Sequence, residues 1–353
     1  MESLAERFAG EVILGVEQSF PLGRRAQGWQ QPTHTNVNVV DISIPSNHAA
    51  LAAHTDPSSL HLFSGFFSHR LVWAGFRALA PSQARLAIFS EAPEQTPATG
   101  WLKRLRGRLL AARWARRFAF VLAIGGVGCE FFSRIGFPEE KIVPFGYFLD
   151  VPPLADATPG RTSDGAVRFI SAGQLIHRKG IDLLVRACAE LPATGWRLEL
   201  YGDGPERPRL EHMARSLGLA NRVAFYGVVP NDAVRSALAQ ADCAVLPSRF
   251  DGWGTLVNES LAAGMPVICT AACGAAVLVS SAQLGSVLQA ESPMPLSAAL
   301  AHAIARGPMQ PRDRVAIHAH AVAHVSAKQA AERFVSLLDR EECHSAVAAG
   351  VDS

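Results

Sequence analysis

Two carboxylates with seven residues between them, Asp251 and Glu259, enclose the loop Gly252-Trp-Gly254 and a helical pattern that opens at Thr255. Gly252 and Gly254 have no side chain to hold a ligand off the backbone, and a helix beginning beside Thr255 would aim unpaired N–H groups into the loop. That is an anion pocket. The helix dipole contributes about 0.3–1 kcal/mol to a bound anion and each hydrogen bond to a charged group about 1.5–3 kcal/mol, together enough for a diphosphate. Carboxylates repel phosphate but accept hydrogen bonds from sugar hydroxyls, so one on each side of the pocket suits a nucleotide-sugar. The plainer reading is an ordinary Asp-Gly turn followed by a solvated helix glutamate.

The elements that would position this loop can be read on either side of it. Ala244-Val-Leu-Pro247 and Val267-Ile-Cys-Thr270 are short apolar runs of the kind buried strands show. Between them Leu256, Glu259, Ser260 and Ala263 follow helical spacing, with Thr255 as the expected N-cap. Upstream, the strand Arg168–Ala172 leads into Gly173-Gln-Leu-Ile-His-Arg-Lys-Gly180 and a helix with Ile181, Leu184, Val185, Cys188 and Leu191 at apolar spacing. A glycine turn carrying Arg178 and Lys179 at a strand end offers a second phosphate contact, the alternative being a solvated basic pair. Arg197–Tyr201 before Gly202-Asp-Gly204, and Val223–Gly227 before Val228, repeat the plan, which predicts one parallel sheet.

Asp251-Gly-Trp-Gly-Thr-Leu-Val-Asn-Glu259, and then Ala-Ala-Gly-Met-Pro-Val-Ile, resembles the signature of retaining glycosyltransferases of family 4, the glycosyl transferases group 1. The resemblance is strong over residues 169–274 and weak in the first half. It implies an α/β protein of two Rossmann-like domains with parallel sheets facing across a cleft, the GT-B arrangement. Residues 1–150 would bind the acceptor and residues 166–326 the donor, with a helix at about 327–340 packing back on the first domain. Asp251 would bind donor-sugar hydroxyls and Glu259 the ribose, while the amides of Gly254, Thr255 and Leu256 hold the diphosphate in the loop formed with Gly252 and Trp253. Lys179 matches the family's diphosphate-neutralising lysine. Gln174 stands where the family has arginine, with Arg178 as the replacement charge. Gly173, Gly202, Gly204 and Gly227 would line the nucleotide, and the backbone after Gly227, at Val228, would read the base.

The reaction so implied moves a hexose-type sugar, with retention, from a UDP- or GDP-sugar to a hydroxyl of a saccharide or lipid-linked saccharide. Assembly of exopolysaccharide, lipopolysaccharide or other cell-envelope polysaccharide is the setting. No metal or other cofactor is implied, and the leaving phosphate would take the acceptor's proton. Two alternatives stand beside this: a nucleotide-sugar epimerase or hydrolase of the same fold, and a non-catalytic partner subunit. Gln174, and Asp251 where the family usually has glutamate, would favour the second.

Composition narrows the classes further. A chain of 353 residues with 49% apolar content can fill two cores, and a net charge of +2 argues against a dedicated nucleic-acid protein. The six cysteines are scattered without a C-x-x-C pair, so neither a disulfide framework nor a zinc site is expected. The start lacks a signal-peptide core, and the longest apolar run, Phe118–Cys129, is too short to span a bilayer. A cytoplasmic protein is expected, at the inner face of the plasma membrane if it is peripheral.

In the first half, Glu11–Gly15, Asn38–Ser43, His61–Gly65, Arg85–Phe89 and Phe118–Ile124 are candidate strands and Cys129–Ile135 a short helix. Gly15–Gly23 lacks the family's glycine pair, so acceptor contacts do not carry over there. Glu91, directly after a candidate strand, is the acceptor-side residue of interest. The Pro- and Gly-rich stretch 151–165 reads as the linker. Residues 101–117 hold seven Lys/Arg and no acid, with Trp101, Leu102, Leu105, Leu109 and Ala112 on one arc of a helical wheel. That arc either packs on the sheet beneath a solvated basic face or lies on an anionic membrane surface, and the unbroken positive charge favours the membrane.

Overall fold

A computed structural model of the chain describes residues 2–8, 11–16, 35–44, 47, 53–64, 69–94, 100–154, 165–289 and 292–350, with side chains as far as 339. Most of the 151–165 linker and of the Gly15–Gly23 loop lies outside the described residues.

Among the described residues the first half builds two separate parallel pieces. There β1 (Ile13–Val16) pairs with β2 (Asn38–Asp41), while β3 (Leu60–Ser64), β4 (Arg85–Ser90), β5 (Phe118–Ile124) and β6 (Ile142–Phe145) form a sheet in simple sequential order. β5 is the continuous apolar run Phe-Ala-Phe-Val-Leu-Ala-Ile, buried on nearly every residue, as a strand covered on both faces must be. The helix expected over Cys129–Ile135 starts four residues earlier and spans Gly125–Ile135, with Gly125, Gly126 and Gly128 inside its first turn. Gly125 (φ +68°) abuts the backbone of Gly274 in the second half, and a Cβ there would overlap it.

The second half is one six-stranded parallel sheet. Its strands are β7 (Val167–Ala172), β8 (Trp196–Tyr201), β9 (Val223–Gly227), β10 (Cys243–Leu246), β11 (Val267–Thr270) and β12 (Gly285–Leu288), in the order β12-β11-β10-β7-β8-β9. The chain winds one way from β7 through β8 to β9, then returns to β7's other side with β10 and continues outward. The crevice between the carboxyl ends of β7 and β10 is therefore a topological switch point, where open parallel sheets bind ligands. The helix after β7, Ile181–Ala189, buries Ile181, Leu184, Val185 and Cys188 against Phe169, Leu198 and Val245, as its spacing predicts.

Two chain crossings tie the halves together. Leu149 bonds to Val325 and Ala327, so the connection out of the first sheet lies beside the start of the last helix, Ala327–Gly350. Phe334 and Leu338 of that helix pack on Ala87, Phe120 and Leu122 of the first sheet. The helix continues past residue 340, where the expected one ended.

The basic segment forms the helix Gly100–Trp114 and a 3-10 turn, Ala115–Arg117, but does not rest on its apolar arc. Trp101 (59% exposed), Leu102 (54%), Leu105 (46%) and Leu109 (66%) face outward. Gly100, Gly107 and Ala111 are the buried residues instead, and Gly107 meets the side chain of Ile135 closely enough that a Cβ would crowd it at 2.9 Å. Of the two alternatives for this arc, packing on the sheet is therefore not what the structure has: small residues allow the close approach on one side, and the large ones stay exposed on the other.

Candidate functional site

The site assembles from loops at the switch point. After β7 the chain makes the turn His177–Lys179 and reaches Gly180, which sits at φ +67° with the Pro247 carbonyl where a Cβ would be. After β10 it runs through Ser248–Asp251 to Gly254. Arg249 N donates to Arg178 O at 2.9 Å, and the Arg249 guanidinium makes two bonds to Asp182, at 2.7 and 2.8 Å, so a bidentate clamp fastens one loop to the other. Asp182 is buried; burial alone would raise its pKa, but the hydrogen bonds and charge of Arg249 prevail and hold it below the ordinary carboxylate value.

This clamp brings together three of the residues expected from sequence. Lys179 Nζ lies 2.5 Å from Asp251 Oδ2, and Arg178 Nη1 lies 3.8 Å from Asp251 Oδ1 and 3.2 Å from Phe250 O. Asp251 therefore serves as counter-anion to both cations. Its backbone is held in turn by bonds from Asp251 N to Ala272 O and from Gly274 N to Asp251 O.

The glycine loop follows. Gly254 is the N-cap of the helix Thr255–Ala262, at φ +94°, so Thr255 is the first helical residue and not the cap that sequence suggested. A Cβ at Gly254 would crowd Cys273 Sγ at 2.5 Å, whereas Thr255 is exposed. The amides of Thr255 and Leu256 lie in the first turn, where a helix supplies no carbonyl partner. Trp253 is packed away: its ring lies edge-on to Tyr147 at 6.1 Å, leaves no room for a Cβ at Gly146, and donates from Nε1 to Asn258 Oδ1 at 2.7 Å. Asn258 Nδ2 then donates to Tyr147 O at 2.8 Å, so Trp253 fixes the loop against the first half by packing.

Glu91, from the first half, meets this loop. Its carboxylate lies directly against Gly252, in the space a Cβ would take. Glu94 reaches the same region, with Oε2 4.0 Å from Arg178 Nε. Glu259, in the second turn of the helix, is partly buried, and desolvation raises its carboxyl to about pKa 7 against the opposing charge of Arg235.

The remaining sequence candidates sit at the neighbouring strand ends. Gly173 N bonds to Tyr201 O and Gly202 N to Gly227 O, while a Cβ at Gly202 would overlap Gly173 O and one at Gly204 would overlap Leu175 O. Gly173, Gln174 and Val228 are exposed there. Gly173, Gln174, Lys179, Tyr201 and Ser248 line a small recess over β7, β8 and β10. Tyr226, half exposed, stacks on Tyr201 with ring centroids 4.7 Å apart.

Sequence reasoning missed the Arg249–Asp182 clamp, Asn258, Glu94 and the Tyr201–Tyr226 stack. Asn258, inside the motif itself, and Arg249, two residues before it, carried the signal that could have found them. Among the described residues, no group of three or more His, Cys, Asp or Glu is placed to hold a metal, and no helix is long and apolar enough to cross a membrane.

Comparison with known proteins agrees with this architecture. Residues 159–319 match the family model "Glycosyl transferases group 1". The lipopolysaccharide core biosynthesis glycosyltransferase LpsE of Rhizobium meliloti is 41% identical over 101 residues, 29% of this chain and 28% of that protein. The D-inositol 3-phosphate glycosyltransferase of Corynebacterium diphtheriae is 31% identical over 195 residues, 51% of this chain and 45% of that protein. The chain thus spans less than half the length of these curated relatives. Among solved structures, Anabaena HepE in complex with UDP superposes with TM-score 0.69 at 18% identity, over 86% of this chain and 87% of that one. The lipopolysaccharide outer core galactosyltransferase WaaB gives TM-score 0.66 at 16% identity, over 87% and 85%. Residues 159–319 are accordingly similar to the glycosyl transferases group 1 family, within a chain that has the GT-B fold of two Rossmann-like domains.

Proposed function

We propose that this protein is a retaining glycosyltransferase that moves a hexose-type sugar from a UDP- or GDP-sugar to an acceptor hydroxyl in envelope polysaccharide or lipopolysaccharide assembly. The observation that carries the reading is the meeting of Lys179, Arg178 and Asp251 at the switch point, beside the open first turn at Thr255 and opposite Glu91. The relatives named for lipopolysaccharide synthesis support the setting.

In this reading the donor diphosphate takes Lys179 and Arg178 from Asp251 and receives the amides of Gly254, Thr255 and Leu256. Asp251, released, accepts hydrogen bonds from the donor sugar, and Glu259 accepts them from the ribose. The bond from the anomeric carbon to the diphosphate breaks. Cations and amides stabilise the oxygen that gains charge, and the acceptor oxygen bonds to the same face of the sugar. The acceptor's proton goes to the leaving phosphate oxygen. Glu91 borders the space the acceptor enters, and the acceptor is a saccharide carried on a lipid, met at the inner face of the membrane.

The test is turnover of UDP- and GDP-sugars with and without a lipid-linked saccharide acceptor, with the anomeric configuration of the product read by NMR. Acceptor-dependent release of nucleotide and an unchanged configuration are expected. Equal donor consumption without acceptor would make the protein a hydrolase or epimerase, and an inverted product would refute retention.

A further inference from the structure

We propose that the helix Gly100–Trp114 is a docking surface for an anionic lipid bilayer, and that it sets the mouth of the interdomain cleft at headgroup level. Trp101, Leu102, Leu105 and Leu109 form an outward apolar arc on a helix that already buries Gly107 and Ala111 behind it. Exposed Arg104, Arg106, Arg108, Arg113 and Arg116 flank the arc, and no acidic residue occurs from 95 to 129. Large apolar side chains flanked by arginine, on a helix too polar to cross a membrane, match an interface with acyl chains beneath and anionic headgroups around. The charge complementarity favours that occupant: an apolar partner helix would bring no opposing charge to Arg106, Arg113 and Arg116.

The placement of the arc links it to the cleft. Lys103, in the helix's first turn, donates to Glu94 O at 2.5 Å, and the Glu94 carboxylate lies 4.0 Å from Arg178 Nε at the switch point. One residue thus touches both the docking helix and a cation of the candidate donor site. A bilayer held by Trp101 and Leu102 would lie on the side of the switch point that Glu94 borders, so a lipid-borne acceptor could offer its sugar to the site without leaving the membrane. The docking itself stands on the exposed arc and the charge. Only the nature of the molecule met at the cleft rests on the proposed transfer.

The test is co-sedimentation of the full chain with vesicles of phosphatidylglycerol and phosphatidylcholine, against phosphatidylcholine alone. Wild type should bind the anionic vesicles at least tenfold more tightly. Leu105→Glu/Leu109→Glu and, separately, Arg106→Gln/Arg116→Gln should each lose at least tenfold. Brominated acyl chains should quench tryptophan emission in wild type and quench it less in Trp101→Phe. UDP and GDP titrations of each variant, expected to match wild type, report folding and the donor site independently of docking. Equal binding to both vesicle types, or undiminished binding by the leucine variant, would overturn the proposal. So would self-association of wild type that the leucine variant abolishes, which would make the arc an interface between copies of the chain.

Discussion

Replacing Glu259 with glutamine should stabilise the protein in a pH-dependent way. In the unfolded chain this carboxyl ionises near its ordinary value of 4.5, whereas burial among α/β packing raises it to about 7 in the folded protein, with Arg235 opposing. Between those two values the folded protein holds a proton that the unfolded chain has lost, so stability falls as pH rises and the loss is complete above about pH 7. At 1.36 kcal/mol per pH unit, the penalty carried by wild type at pH 8 is about 3 kcal/mol. Glutamine has the same shape and no charge to desolvate. Urea unfolding of wild type and Glu259→Gln from pH 4 to pH 8 should therefore show nearly equal stability at the acid end and a variant more stable by about 3 kcal/mol at the alkaline end. A difference independent of pH, or a wild type more stable at pH 8, would refute the reasoning. The same carboxyl gives donor binding a proton signature. Ribose hydroxyls favour the ionised form, so nucleotide binding at pH 6 should release protons from wild type and not from the variant, read by calorimetry in buffers of different ionisation enthalpy.

Two further outcomes follow from the loop geometry. Arg249→Leu leaves the Asp182 carboxylate buried without its partner and should cost about 3–5 kcal/mol of stability, most of it recovered in the double variant Arg249→Leu/Asp182→Leu; additive effects in that cycle would show that the clamp is not coupled. Gly254→Ala puts a side chain at φ +94° and against Cys273, which should lower the melting temperature and weaken nucleotide binding together; an unchanged protein would show that the loop is looser than described.

The second half of the fold was legible because its signals are local. β7, the Ile181 helix and the four-residue strands on either side of Asp251 are apolar runs or stripes bounded by glycine, proline and polar turn residues. What the period did not reveal was orientation. Helix Gly100–Trp114 was expected to use its large residues wherever it packs, but Gly107 and Ala111 permit a closer approach to Ile135, and small residues leave no hydrophobic stripe to read. The split between β1-β2 and the β3–β6 sheet depends on non-local pairing and was equally hidden.

At the site, the motif named Asp251, Glu259, Lys179 and the glycines by type and spacing. It did not say that Lys179 and Asp251 would hold each other, because their separation of 72 positions closes only when β7 and β10 become neighbours. Trp253, named with the loop, turned out to be packed against Gly146 and Tyr147 of the first half, a contact no single-segment pattern encodes. Gly254 replaced Thr255 as cap because the turn needs a positive φ, which a Thr-based N-cap preference overlooks.

The central claim is that Lys179 and the bare amides at the Thr255 helix start grip a diphosphate. Calorimetric titration of wild type and Lys179→Ala with UDP- and GDP-sugars, and with the matching nucleoside monophosphates, tests it most directly. At least one nucleotide-sugar should bind wild type. Lys179→Ala should weaken that binding tenfold or more, about 1.4 kcal/mol, while changing the monophosphate's affinity less. Failure of every nucleotide-sugar to bind wild type, or equal affinity in the variant, would contradict the claim.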